Sequence, residues 1–247
     1  MRLSGQRVLI TGGSDGIGLA IARRLAPLNQ LVIVGRNHER LDRAAQDLGV
    51  HCIVADLARP ESARLVADEA VAHMGGISML VNNAAEQHHV DWLKESSASV
   101  AERASAEIAT NFTSLVTLTA LLLPTLIQAD GATIVNVSSG LAYAPKKQAP
   151  IYCATKAAVG TFSRALRYQL EDSAPHVGLT EVVLPLVDTA MTAGRDGFKK
   201  LTADEAAAQI IEAIERGADT AWIGKTKALR VLLRISRRRA YALLRDQ

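Results

Sequence analysis

Short apolar runs alternate along this chain with longer segments whose apolar residues recur every three to four positions. The short runs fall at residues 7–10, 31–34, 51–54, 79–81, 133–137 and 181–184, and most of their side chains are apolar and β-branched. Strands of that kind are buried on both faces, as in a parallel sheet, whereas a half-exposed strand would alternate apolar with polar. The longer segments, 17–28, 39–48, 60–74, 100–128 and 151–172, carry helical periodicity. Strict alternation of the two predicts an α/β fold: a single doubly wound parallel-sheet (Rossmann) domain with helices on both faces and right-handed crossovers. No repeat or Pro/Ser-rich linker interrupts it, so residues 1–224 are expected to form one domain.

Two helix starts are legible. Thr202-Ala203-Asp204-Glu205 is a capping box that launches the apolar-periodic 206–214. Pro60 is suited to the first turn of the helix predicted over 60–74. The loop over 189–201, with Gly194 and Gly197, has the make-up of a mobile flap.

Composition narrows the class. Hydrophobic residues make up 49% of the 247 positions, enough for a sizeable core. The start of the chain has no secretory apolar region, and the apolar stretch 115–127, broken by threonines and Pro124, is too short and mixed to span a bilayer. Cys52 and Cys153 stand alone, which fits a reducing compartment and a cytoplasmic protein. His88-His89 has no third ligand at a metal-binding interval, so no metal is expected; these side chains are solvated or face a substrate.

The net charge of +3 is unevenly spread. Residues 225–247 hold eight Lys/Arg against Asp246, so this segment carries +7 and the rest of the chain −4. Basicity confined to one end gives no reason to expect a nucleic-acid partner. Apolar residues at 229, 232, 233, 240, 243 and 244 make it a basic amphipathic helical extension. Three roles are open: packing on the domain or a partner subunit, attraction to an anionic membrane surface, or docking of an anionic substrate.

The chemistry begins at Val8-Leu9-Ile10-Thr11-Gly12-Gly13-Ser14-Asp15-Gly16-Ile17-Gly18, a strand, a glycine-rich turn and a helix start. Gly12 permits the turn, while Gly16 and Gly18 let backbone approach a pyrophosphate on the helix N-terminus, beside Ser14, Asp15 and Ile17. A dinucleotide is the expected ligand. Its type is read at the end of the second run, Val34-Gly35-Arg36-Asn37. An NAD site places an acid there for the ribose hydroxyls. Here Arg36 stands instead, with Asn37 as a helix cap, so either Arg36 clamps a 2′-phosphate or it points to solvent. The reading prefers NADP(H), with NAD(H) possible.

The spacing Thr-Gly-x-x-x-Gly-x-Gly resembles the short-chain dehydrogenase/reductase family, and further landmarks of that family follow in order over about residues 7–224. Asn82-Asn83-Ala84-Ala85 resembles the family's Asn-Asn-Ala-Gly, with Ala for the final Gly. Ser139 precedes Tyr152-Cys153-Ala154-Thr155-Lys156 by 13 residues, the family interval, which favours it over the adjacent Ser138. Tyr152 and Lys156, four apart, share one helix face. Pro185-Leu186-Val187-Asp188-Thr189 stands where the family has Pro-Gly and then Thr; Leu186 in place of Gly leaves the loop path open. The run 184–195 also resembles a bacterial subgroup named for D-alanylation of teichoic acids, a name that defines no substrate.

The resemblance implies the site. Asp56 and Leu57 would border the adenine, Asn83, Ala84 and Ala85 the cofactor, and Pro185, Val187 and Thr189 the nicotinamide carboxamide. Tyr152 would be the proton donor, Lys156 its tuner and a ribose ligand, Ser139 the substrate anchor, and Asn111 the holder of a relay water. An adjacent Lys⁺ would lower a tyrosine pKa from its usual value of about 10. Leu141, Tyr143 and Met191 are candidates for an apolar substrate wall. The family implies an NAD(P)(H)-dependent oxidoreductase interconverting a small-molecule carbonyl and an alcohol, and a homo-oligomer, dimer or tetramer. The alternative is a catalytically silent cofactor-binding scaffold, against which the full set Asn111, Ser139, Tyr152 and Lys156 argues.

Overall fold

The computed structural model describes residues 3–195 and 199–246. Among the described residues, seven parallel strands form one sheet: β1 (Arg7–Thr11), β2 (Gln30–Gly35), β3 (His51–Val54), β4 (Met79–Asn82), β5 (Ala132–Ser139), β6 (Val177–Leu184) and β7 (Thr220–Trp222). Their order is β3-β2-β1-β4-β5-β6-β7. The direction of succession reverses between β1 and β4, and that reversal opens a crevice at the carboxyl ends of the strands, where an α/β sheet receives its ligand.

Alternation along each strand fills two cores. Val8 and Ile10 of β1 face α1 (Gly16–Leu25), α2 (His38–Leu48) and α7 (Ala203–Glu215), whose Ile21, Leu41 and Ile210 are buried there. Leu9 faces the other way, with Val66 of α3 (Ser62–Met74), Leu118, Leu122 and Leu126 of α5 (Ser114–Gln128), and Leu170 of α6 (Pro150–Ser173). The doubly wound sheet is therefore as the apolar runs predict. The seventh strand was not foreseen: three residues, Thr220–Trp222, make no run, and their place comes from pairing with Glu181–Val183.

The capping box of α7 forms, with Glu205 N–H donating to Thr202 Oγ1 at 3.1 Å and Thr202 N–H to the Glu205 carboxylate at 3.0 Å. Pro60 does not open α3; it lies in a turn closed by Ser62 N–H on Arg59 C=O at 3.1 Å, and the helix begins at Ser62. The central helix is longer than its apolar stretch. It runs over Ser97–Gln128 as α4 (Ser97–Ile108), a π-turn (Ala109–Thr113) and α5. By length and composition this segment is apolar enough to cross a bilayer, but Leu118, Leu122 and Leu126 lie in the core against the sheet.

The basic extension folds onto the body of its own chain as α8 (Thr226–Ile235) and α9 (Arg237–Leu244). Leu229 and Ala240 are buried with Ala144, backed by Leu232, Leu233 and Leu244. Thr226 Oγ1 donates to Val183 C=O at one end, and Lys147 N–H donates to Arg245 C=O at the other, beside a Lys147–Asp246 ion pair.

Candidate active site

At the carboxyl end of β1 the chain turns through Gly12 at φ +68°. A β-carbon there would sit 2.9 Å from Asn83 Nδ2, and one at Gly18 would fall 2.1 Å from Gly12 C=O. Gly18 thus serves the close packing of α1 on the turn, not an approach to a ligand. Asn83 locks the turn from the β4 side: its Nδ2 donates to Thr11 C=O at 3.0 Å and Gly12 C=O at 3.1 Å. Thr11 Oγ1 in return accepts from Asn83 and Ala84 N–H, both at 3.0 Å. Asp15 caps α1 through Gly16 N–H at 2.6 Å. What remains is a glycine-lined cradle at a helix N-terminus, with Thr189 against Gly16, which fits a pyrophosphate.

The cradle is one end of a cavity of 1090 Å³ that runs over the strand ends. Its walls include every residue expected at the cofactor except Gly18: Gly12, Ser14, Asp15, Gly16 and Ile17; Arg36 and Asn37; Asp56 and Leu57; Asn83, Ala84 and Ala85; Pro185, Val187 and Thr189. Asn37 Oδ1 caps α2 through Arg40 N–H at 2.9 Å, and Asp56 holds its turn through Ala58 N–H at 3.1 Å. Arg36 pairs with Glu86 at 3.0 Å and is largely exposed. Arg40, one helical turn on, joins it at the cavity wall.

Ser139, Tyr152 and Lys156 line the same cavity. Ser139 ends β5, where its Oγ accepts from Leu141 N–H at 3.1 Å and faces the Tyr152 hydroxyl closely enough to lower its pKa. Ser138 Oγ instead donates to Lys156 C=O at 3.2 Å, so the hydroxyl at Tyr152 belongs to Ser139. Lys156 is 2% exposed; its Nζ donates to Val137 C=O at 2.8 Å and lies 5.7 Å from the Tyr152 ring centroid. Asn111 sits inside the π-turn, where Ser114 N–H reaches five residues back to Ala109 C=O. A π-turn accommodates an extra residue in a helix and is frequent at functional sites. Asn111 does not line the cavity; its Nδ2 donates to Glu86 C=O at 2.9 Å and Thr155 Oγ1 at 3.2 Å, and its Oδ1 accepts from Glu86 N–H at 2.8 Å. Its side chain ties the loop after β4 to α6.

Burial dominates the electrostatics of the pair. Burial pushes the Tyr152 hydroxyl up to about 12, and the Ser139 hydrogen bond and the Arg195 guanidinium only partly oppose it. Burial brings Lys156 itself down to about 8.

A protein-family model described as short chain dehydrogenase matches residues 6–200. The chain belongs to the short-chain dehydrogenase family. It is 40% identical over 193 residues, 77% of this chain and 75% of the other, to a protein of Bacillus subtilis called uncharacterized oxidoreductase DltE. It is 34% identical over 212 residues, 80% of this chain and 79% of the other, to sulfoacetaldehyde reductase 2 of Chromohalobacter salexigens. A short-chain dehydrogenase from Sphingobium yanoikuyae, solved with NADPH, superposes with a TM-score of 0.75 at 30% identity, covering 87% of this chain and 86% of that one. The chain is accordingly an oxidoreductase of this family with an NAD(P)-type site.

This dehydrogenase departs from the sequence reading at the substrate end. Leu141 and Met191 line the cavity, but Tyr143 does not: its hydroxyl donates to the Glu181 carboxylate at 3.0 Å and its ring lies against Trp222. Leu186, where the family has Gly, lines the cavity without positive φ. Its C=O accepts from Leu201 N–H at 3.1 Å, and Asp188 N–H donates to Leu201 C=O at 2.8 Å, so both legs of the flap zip together at its root. Residues 196–198, with Gly197, lie outside the described residues. Leu229, Leu232, Leu243 and Leu244 add a wall from α8 and α9. Their apolar spacing predicts packing but does not reveal what they pack around. Arg40, Lys146 and Arg195 were also missed, because a single cation in a loop or helix carries no pattern.

Proposed function

We propose that this dehydrogenase reduces an aldehyde or ketone to an alcohol with NADPH, Tyr152 being the acid. The reading rests on Tyr152, Ser139 and buried Lys156 brought together on the wall of the cavity that begins at the glycine cradle. A nicotinamide bound here supplies the hydride. Carbonyl reduction needs a proton at oxygen as the carbon is reduced, and a tyrosine held near 12 keeps that proton at neutral pH. Ser139 Oγ donates to the carbonyl oxygen and holds it beside Tyr152 Oη. Lys156, with one proton on Val137 C=O, has others for the ribose hydroxyls and orients the cofactor. Asn111 fixes the loop that borders the site.

Arg36 and Arg40 at the end of the groove support NADP(H) over NAD(H), since a 2′-phosphate accepts from guanidinium where an NAD site has a carboxylate. Free thiols at Cys52 and Cys153 suit a cytoplasmic setting. Ile108 and Ile127 on the outer side of the central helix, and Tyr168 on α6, are exposed and suit a homo-oligomer contact. The test is NADPH oxidation across a panel of neutral aldehydes and ketones. Tyr152→Phe should bind NADPH as the parent does and lose about 100-fold or more in turnover. Unchanged turnover would overturn the assignment of the acid; NADPH binding with no turnover on any carbonyl would favour a silent scaffold.

A further inference from the structure

Beyond Tyr152 the cavity holds two positive charges that, among the described residues, pair with no carboxylate. Lys146 follows β5, is 3% exposed and lines the cavity. Arg195 reaches in from the flap to the same place, where its guanidinium bonds the Gln87 side-chain carbonyl. Lys146 Nζ and an Arg195 nitrogen each lie 3.2 Å from His89 Nε2. A neutral imidazole nitrogen has one lone pair, so it serves one of these donors and leaves the other short. The Gln87 amide nitrogen beside them is buried without a partner.

Among the described residues, the neighbouring carboxylates Glu86 and Glu107 face other groups. Glu86 pairs with Arg36 and approaches His88, and Glu107 accepts from His88 N–H at 2.8 Å. Among the described residues, neither Lys146 nor Arg195 forms an ion pair with any carboxylate. Burial and the neighbouring Arg195 bring Lys146 down to about 8, and burial, with both cations, holds His89 below its ordinary value. Burying an uncompensated charge is costly, so a site that holds two cations on the wall it shares with Tyr152 gains most from a ligand that brings an anion. Leu141, Leu186, Met191, Leu229 and Leu232 supply apolar surface to the same cavity.

Given the carbonyl-reductase reading above, we propose that the substrate is a carbonyl compound carrying an anionic group, a carboxylate, sulfonate or phosphate, which is held by Lys146, Arg195 and the Gln87 amide while the carbonyl lies at Tyr152. The bonds to the anion are charge-assisted, and the guanidinium offers a two-pronged fit to its oxygens.

The experiment compares ω-oxo carboxylates of two to six carbons with n-alkanals of the same length, using NADPH and the full chain. At the best length the oxo acid should exceed its alkanal in kcat/KM by about tenfold or more, a factor corresponding to one good charge-assisted bond. The ratio of the two kcat/KM values should fall at least tenfold in Lys146→Met and in Arg195→Met, and sulfate should compete with the oxo acid for the parent. Binding is read separately from turnover: succinate or glutarate should raise the melting temperature of the NADPH complex, and do so less in both variants. Oxo-acid advantage absent at every length, or retained in both variants, overturns the proposal. So does a loss of NADPH affinity in both variants with the ratio intact, which would assign the two cations to the cofactor. Turnover of alkanals that depends on Tyr152 but shows no anion preference would sink the substrate class and leave the reaction standing. If no carbonyl is reduced, the reaction fails and the dicarboxylate shift alone decides the anion site.

Discussion

Replacing Lys156 by methionine should inactivate the enzyme and yet leave a chain at least as stable as the parent at neutral pH. Lys156 is 2% exposed and its Nζ has one hydrogen bond, to Val137 C=O. Burial lowers its pKa from 10.5 to about 8, and at about 1.4 kcal/mol per unit the charged form costs roughly 3 kcal/mol in the fold. Methionine fills similar volume without the charge. It forfeits the hydrogen bond and the contact with the Tyr152 ring, together about 1–2 kcal/mol. The variant should therefore be roughly 1–2 kcal/mol more stable at pH 7. The folded pKa lies below the unfolded one, so the parent carries its full penalty below about pH 8 and sheds it as pH rises toward 10.5. By about pH 10 the parent should have recovered roughly 2–3 kcal/mol relative to the variant, and the order of stability should reverse. Urea unfolding of both chains without cofactor, followed by circular dichroism at about pH 7 and pH 10, measures this directly. A stability difference that does not move with pH would refute the reasoning, because nothing but the lysine's titration distinguishes the two chains.

Other substitutions test other parts of the site. Gly18→Ala places a β-carbon 2.1 Å from Gly12 C=O; it should cost about 1–3 kcal/mol of stability and weaken NADPH binding in fluorescence titration, whereas Gly49→Ala, with open space around it, should spare binding. Arg36→Ala should raise KM for NADPH about tenfold and leave KM for NADH nearly unchanged, as expected for loss of one phosphate contact. Leu229→Ala, at a position 6% exposed against Ala144, should destabilise by about 2–4 kcal/mol in urea melts and raise KM for long-chain substrates more than for short ones. Asn83→Leu removes both donors to the turn and should weaken cofactor binding without altering the far-UV spectrum.

Much of the fold was legible because buried parallel strands advertise themselves as apolar runs, and the cofactor cradle because only glycine fits Gly12 and Gly18. β7 was not, since its three residues owe their conformation to β6 rather than to themselves. The tyrosine, lysine and serine of the site were readable from spacing, but their proton affinities were not. Sequence distance places Lys156 one turn from Tyr152; it does not show that burial, which depends on the whole fold, is the largest influence on both groups. Tyr143 has the composition of a pocket residue, and its hydroxyl is claimed by Glu181, 38 residues away. Lys146, Arg195 and His89 come together from three separate segments, a convergence that no local pattern encodes.

The wall made by α8 and α9 lies beyond residues 6–200, the stretch that defines the family. It is fastened at two points, Thr226 to the C=O of Val183 and Lys147 N–H to the C=O of Arg245. The side chains between those seams touch the cavity but not the glycine turn, Ser139 or Lys156 through any hydrogen bond. Such a segment behaves as an exchangeable cassette. Its inner leucines can take other shapes, altering which molecules fit, without breaking any of the hydrogen bonds that hold the glycine turn, Ser139 or Lys156.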